Sequence, residues 1–270
     1  MRRREFIAGL GSAAAAWPLA ACAQQDGRVR ALQLQILRFQ AQDVADKIGQ
    51  FIKEIEAQLA WTTELPLSLP ECQERDRSRT PVCEQWSPGA IEQRRSDASR
   101  LLRHSSAITE VSQFDSSGKK RFKVSRLVEL FDDPDSSQAF TVALAKGVYY
   151  GPVYLRRQWP HLTLALAHTE RDAGVSVAEV DLKFICDMVA GVKVGQAYVA
   201  DVQGRLVAHP DISRVLGNTE MMHFAHVRAG EARDIYGHDV LISYAPVANR
   251  SLGWLVFVEL PIALANKLAR

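Results

Sequence analysis

Ile108-Thr109-Glu110-Val111-Ser112-Gln113-Phe114 runs into Asp115-Ser116-Ser117-Gly118 and out through Lys119-Lys120-Arg121-Phe122-Lys123-Val124. The same form returns later as Ala197-Tyr198-Val199-Ala200, Asp201-Val202-Gln203-Gly204 and Arg205-Leu206-Val207-Ala208-His209. An Asp opening a four-residue turn accepts a hydrogen bond from the backbone two residues on, and a Gly closing it supplies positive φ. Each stretch therefore reads as strand, tight turn, strand. Each hairpin is followed by helical or loop material and then by two further strands. In the first half these are the alternating Leu162, Leu164 and Leu166 and residues 175–182; in the second, the alternating Val240, Ile242 and Tyr244 and residues 254–260. Alternation predicts antiparallel sheets with one face buried.

Upstream, Leu32, Ile36, Val44, Ile48, Phe51, Ile55 and Leu59 fall at helical intervals across residues 29–59, which predicts one long amphipathic helix. After a Pro-rich stretch at 65–70, Ser87 followed by Pro88 reads as a cap with Pro at the first helical position, opening a second helix that runs to about His104. The fold class expected is α+β: a long N-terminal helix followed by two tandem antiparallel-sheet units.

The first residues carry an export signature. Arg2, Arg3, Arg4, then Phe6-Ile7 and an Ala- and Gly-rich apolar run to Ala21 give the charged, apolar and small-residue regions of a signal peptide over residues 1–24. Arg3-Arg4-Glu5-Phe6-Ile7 resembles the twin-arginine consensus, which routes proteins across the membrane already folded. Two exits stand open. Ala21-Cys22-Ala23 suits cleavage to a soluble periplasmic protein, whereas Leu19-Ala20-Ala21-Cys22 reads as a lipobox, with Cys22 acylated and the protein anchored to the membrane.

An oxidising compartment bears on the other cysteines. Cys72 and Cys83 bracket a polar segment without periodicity, and a disulfide closing it would add about 2–3 kcal/mol by restricting the unfolded chain. Two free thiols are the alternative. Cys186, among Phe184, Ile185 and Met188, reads as a buried small hydrophobe.

Several function classes recede on composition and spacing. The net charge of +2 is carried by Arg2, Arg3, Arg4 and Glu5, so the rest of the chain is neutral and has no basic field for nucleic acid. No His-Glu-x-x-His, Gly-x-Ser-x-Gly or phosphate-cradling glycine loop occurs in the sequence, and no Cys/His spacing matches a zinc site. A non-enzyme without cofactor or metal is expected. His209, before Pro210, reads as a strand-end residue rather than an acid–base group.

Gly204-Arg205-Leu206-Val207-Ala208-His209-Pro210-Asp211 with Val215-Leu216-Gly217, behind one long helix, resembles the double Cache domains of bacterial sensor kinases, cyclases and chemoreceptors. Residues 148–154, 172–182 and 253–261 extend the resemblance in chain order, over roughly 29–261. It implies PAS-like units: helices and a Cys loop at 26–105, a membrane-distal unit at 106–195, a reduced membrane-proximal unit at 196–261, and a tail at 262–270. It implies further that the distal unit holds a small ligand on its sheet, between residues 140 and 181, with the proximal one more often empty. The candidates there are Phe140, Tyr149, Tyr150, Tyr154, Arg156, His168 and Asp181, with His161 also available. A ligand carrying a carboxylate and an amine needs a cation, a carboxylate and an aromatic wall.

In amino-acid-binding members an Arg-x-Trp-aromatic motif precedes this region. Ser137, Ala139 and Phe140 stand at its positions, so only the final aromatic is kept and an organic acid remains as open as an amino acid. The plainer role for each candidate is a hydrogen-bonded sheet or surface side chain. Relatives continue into a second membrane span and an output domain, while this sequence reaches Arg270 nine residues after Pro261. The expectation is thus a signal-transduction-type binding module without its own output, acting through a membrane sensor partner or as a homodimer. A transporter's exported solute-binding protein and a truncated sensor remnant are the rivals.

Overall fold

The computed structural model describes residues 3–64, 88–126, 136–168, 174–216, 229–234, 237–249 and 251–268, with backbone alone for 3–26 and 62–64. The Cys72–Cys83 pairing and the Cys22 side chain lie outside the described residues. Helix α1 (Arg3–Glu64) is longer than the apolar periodicity foretold, and α2 (Pro88–His104) starts and stops where the Pro88 signal placed it.

Two sheets follow. The first contains β1 (Ile108–Phe114), β2 (Lys120–Ser125), β3 (Val148–Tyr150), β4 (Tyr154–Arg156), β5 (Trp159–Ala167) and β6 (Val175–Asp181). Helix α3 (Ser136–Lys146) lies between β2 and β3, and α4 (Lys183–Ala190) leaves the last strand. The second sheet contains β7 (Gln196–Ala200), β8 (Leu206–Ala208), β9 (Gly230–Arg233), β10 (Asp239–Pro246) and β11 (Leu255–Pro261), with α5 (Ile212–Leu216) after β8 and α6 (Ile262–Leu268) at the end. The strand orders are β2-β1-β6-β5-β3, with β4 also on β5, and β8-β7-β11-β10-β9. Position by position these are one topology used twice, and each strand pairing is antiparallel.

The two hairpin turns share their backbone-to-carboxylate bonds, and in each an arginine meets Oδ2, six residues on in the first and four in the second. Asp115 Oδ1 accepts from the N–H groups of Ser117 and Lys119, both at 2.9 Å, and Oδ2 from Arg121 Nε at 2.7 Å. Asp201 Oδ1 accepts from Gln203 and Arg205, both at 2.9 Å, and Oδ2 from Arg205 Nε at 2.7 Å. Gly118 and Gly204 close the turns with φ of 83° and 81°, a region open to glycine at little cost. A third turn of the kind, unread in the sequence, joins β9 to β10: Asp234 accepts from the Gly237 N–H at 3.0 Å and, through Oδ1, from the His238 N–H at 2.8 Å.

Helix α1 is the spine. Leu37, Ala41, Val44, Ala45, Ile48, Ile52, Ile55 and Leu59 are buried along one stripe, against β10 and β11 of the second sheet and then β5, β6 and α2. Of the residues expected on it, Val44, Ile48, Ile55 and Leu59 are buried, whereas Leu32 and Ile36 face solvent and Phe51 is half-buried against Phe184. One continuous core joins this helix to the inner faces of both sheets, and each outer face has a smaller cluster of its own. In the first sheet Leu162 and Leu164 face the spine as alternation suggested. In the second the phase is opposite. Leu241 and Ala245 meet the spine, whereas Ile242 joins the outer cluster and Tyr244 is exposed. Both strand faces are apolar there, so alternation alone did not say which one α1 would cover.

Candidate functional site

Cross-strand register assigns the outer face of the first sheet. Glu110 lies opposite Glu179, Ser112 opposite Val177 and Phe114 opposite Val175; on β5, His161, Thr163 and Ala165 stand opposite Asp181, Glu179 and Val177. One end of this face is apolar. Ala139 and Ala143 of α3 cover Phe114, Ala165, Val175 and Val177, with Phe140 and Tyr149 packed against them.

The other end is charged and buried. Glu110, Glu179, His161 and Arg156 are 4%, 3%, 3% and 8% exposed, and ionised groups so far from water need partners. Glu110 has two, Lys123 Nζ at 3.1 Å and Arg156 Nη2 at 3.3 Å. Glu179 accepts from the Tyr154 hydroxyl and from Thr163 Oγ1 at 3.0 and 3.2 Å. Burial, with Glu110 across the ladder, nevertheless pushes the Glu179 carboxyl up to about 7, against the stabilising hydrogen bonds. The same burial lowers the basicity of His161 and raises the Tyr154 phenol.

Two donors or acceptors in this set are left over: Arg156 Nη1 and His161 Nε2 are buried without a hydrogen-bond partner among the described residues. A guanidinium edge so placed costs about 1–3 kcal/mol unless something binds it. Arg156 is held there by a tight β4–β5 turn whose two central residues, Arg157 and Gln158, have φ of 51° and 70°. Left-handed backbone at two successive non-glycine residues is strain, of order 1 kcal/mol or more each.

The structure gathers Phe140, Tyr149, Tyr154 and Arg156 on this face, with His161 beside Tyr154, ring centroids 6.1 Å apart. It separates the others. Tyr150 points to the spine, where its hydroxyl donates to Glu56 and accepts from Asn249 at 2.6 Å. His168 is also on the inner side, against Gln113 at 2.7 Å and Ser176 at 3.1 Å, and burial beside Arg94 lowers it to about 4. Asp181 precedes the Leu182 cap of α4, its Oδ1 accepting from the Lys183 N–H at 2.7 Å, and borders a different cleft, of about 550 Å³, between α1 and α4. Glu110, Lys123, Thr163 and Glu179 were missed. The signal for the two glutamates was a carboxylate set among apolar residues inside a strand, Glu110 in β1 and Glu179 in β6.

The arrangement offers an unsatisfied cation edge and two carboxylates at one end and an aromatic, apolar wall at the other. Among the described residues no group of three or more His, Cys, Asp or Glu is placed to hold a metal ion, and no helix is long and apolar enough to cross a membrane.

No protein-family model and no curated protein sequence matches the chain. Solved structures do. The ligand-binding domain of the Pseudomonas fluorescens chemoreceptor CtaA, in complex with L-isoleucine, is similar with a TM-score of 0.65 and 13% identity over 90% of this chain and 98% of that one. The ligand-binding domain of the Campylobacter jejuni chemoreceptor Tlp3, in complex with L-norvaline, gives 0.63 and 14% over 89% and 95%. That of the Pseudomonas aeruginosa amino acid chemoreceptor PctC, in complex with GABA, gives 0.56 and 17% over 84% and 99%. The likeness is one of fold: a long helix carrying two antiparallel sheets, the double Cache architecture.

Proposed function

We propose that the chain is an extracytoplasmic small-ligand sensing module, exported through its twin-arginine leader, and that the outer face of the first sheet takes a small zwitterion of the amino-acid type. The observation that carries this reading is the buried Nη1 of Arg156, without a hydrogen-bond partner among the described residues, beside two buried carboxylates. A guest carboxylate satisfies Arg156 Nη1 and the His161 edge; a guest ammonium meets Glu110 and Glu179; the rest of the guest lies toward Tyr149 and Phe140. The similar chemoreceptor domains were solved with L-isoleucine, L-norvaline and GABA, which supports the class. Glu110 already has Lys123 and Arg156, and the hydrogen bonds to Glu179 come from hydroxyls, so an organic acid would bring no positive charge to Glu179. Output would come from a membrane sensor partner or from a homodimer. The solute-binding alternative fits less well, because two-lobed binders of that kind are built on parallel βαβ units and the strand pairs here are antiparallel.

A thermal-shift screen of the purified chain tests this, with L-isoleucine, L-norvaline and GABA set against lactate and succinate. An amino acid raises the melting temperature, by an amount that grows with concentration, and Arg156→Gln abolishes the rise. A folded chain that responds to none of the amino acids, or an undiminished response in Arg156→Gln, overturns the assignment. Export is tested separately, by replacing Arg3 and Arg4 with Lys, which stops twin-arginine transport if that reading holds.

A further inference from the structure

Away from the outer faces of both sheets, the cleft of about 550 Å³ lies between the spine helix and α4, closed at one end by the last residue of β6. Two rings line it. Phe51 of α1 and Phe184 of α4 have centroids 5.1 Å apart, tilted by 39°, and Phe184 is 51% exposed.

The charges in the cleft do not balance. Lys183 is taken up by Asp187, whose two carboxylate oxygens lie 3.0 and 2.7 Å from Nζ. Glu54 of α1 and Asp181 of β6 are then left, and neither has an ion-pair partner among the described residues. Glu54 Oε1 accepts from the neutral Gln50 amide at 2.9 Å, and Asp181 Oδ1 from the Lys183 N–H at 2.7 Å. The second oxygen of each carries no hydrogen bond among the described residues. Lys183 and His161 act on Asp181 only from beyond ion-pair distance. His104 also lines the cleft, and adds a positive charge only when protonated.

A separate observation concerns Gln58. Its side-chain oxygen is buried with no hydrogen-bond partner among the described residues, although Gln58 borders the cleft. Gln58 and Glu54 are four residues apart and share a face of α1, so the unbonded amide stands beside the unpaired carboxylate. No bond holds the amide oxygen, and a turn about its last torsion, which is broad for glutamine, presents it to the cleft. The unspent groups are thus alike: carboxylate and amide oxygens accept hydrogen bonds, and ring faces attract positive charge.

We infer that the cleft between α1 and α4 is a second ligand site, formed by Phe51, Glu54, Gln58, Asp181 and Phe184, which takes an aliphatic diamine as its dication. One ammonium meets Glu54 and Gln58 on the spine, the other meets Asp181, and the methylene chain lies along the two rings. A charge leaving water needs hydrogen bonds as well as an opposite charge, and a primary ammonium, with its three donors, provides both. A metal ion fits less well, because among the described residues no three carboxylate, His or Cys ligands converge. The guest joins the spine to the first sheet's unit. The site is distinct from the zwitterion face of that sheet, and neither reading needs the other.

Isothermal titration of the full chain with putrescine and cadaverine tests the inference, with butylamine as the single-charge comparison. At least one diamine binds, and butylamine binds about tenfold more weakly or less. Glu54→Gln and Asp181→Asn each weaken diamine binding by about tenfold or more, toward the level of butylamine, and Phe184→Ala weakens it by a smaller factor. Glu54 is exposed on α1, so Glu54→Gln decides if Asp181→Asn does not fold, as judged by circular dichroism. A folded chain that gives no binding heat with either diamine overturns the inference. So does equal affinity for butylamine and the diamines, and so does binding that Glu54→Gln leaves alone and Glu179→Gln removes, which would place the amine on the first sheet. Diamine binding with no response to any amino acid would overturn only the zwitterion reading.

Discussion

Asn249 Nδ2 lies 2.6 Å from the Tyr150 hydroxyl oxygen and 3.2 Å from Glu56 Oε1, so that a loop of the second sheet, the edge strand of the first and the spine helix are tied at one point. Tyr150 is joined by a single peptide bond to Tyr149, which packs on the outer face of the first sheet. A double-mutant cycle with Tyr150→Phe and Asn249→Ala is expected to give a coupling energy on the order of 1 kcal/mol in urea denaturation. Additive single effects would mean that the contact ties nothing.

The pH dependence of stability carries the mark of Glu179. Its carboxyl is near 7 in the folded chain and near 4.5 when unfolded, so the folded state holds the proton more tightly between these values. Its contribution is therefore complete below about pH 4.5 and is lost as pH rises through 7. Glu179→Gln should stabilise the chain relative to wild type more at pH 8 than at pH 5, by on the order of 3 kcal/mol at most. His168, held near 4, acts in the opposite sense, losing stability as pH falls from 6.5 toward 4, but it is common to both proteins and cancels. Parallel pH profiles for the two chains would rule out a shifted Glu179.

Gly174 opens β6 with φ of 84°, and a Cβ there would lie 1.9 Å from the Phe114 carbonyl oxygen. Strain and overlap with fixed backbone add, and Gly174→Ala is expected to cost on the order of 3 kcal/mol. A melting temperature within two or so degrees of wild type would contradict the close approach of β6 to the end of β1.

Cys186 is buried in the core, and burial raises its thiol to about 11. Thiolate is the reactive form, so iodoacetamide at pH 7.4 should leave Cys186 unmodified in the native chain and label it in urea. Peptide mapping distinguishes it from the other cysteines, and rapid native labelling would show that the α4 region opens.

Much of the fold was legible because turn chemistry is local. An Asp followed three residues later by Gly fixed both hairpins, and Pro88 fixed the start of α2. The third turn, Asp234 to Gly237, has the same signature, but β9 before it is Gly230-Glu231-Ala232-Arg233, which lacks the β-branched and aromatic residues that advertise a strand. The face of each residue was less legible. Strand periodicity says which side chains go together and leaves open which group meets the helix, hence the reversed phase of β10. The same periodicity forbids Tyr149 and Tyr150 from lining one site, since successive residues point to opposite faces. Glu110 and Glu179 escaped because a carboxylate within a strand reads as solvent-facing. Only the covering of the outer face turns it into a buried charge.

The shared core has a practical corollary. Because α1 threads both sheets into one cluster of side chains, neither sheet has an interior that survives the loss of the other. The chain is therefore expected to melt as one cooperative body, so that a guest on the first sheet would raise the single transition of the whole. A warmer melt would announce that a guest has arrived, and the loss of that warming in Arg156→Gln would tell that it came to the first sheet.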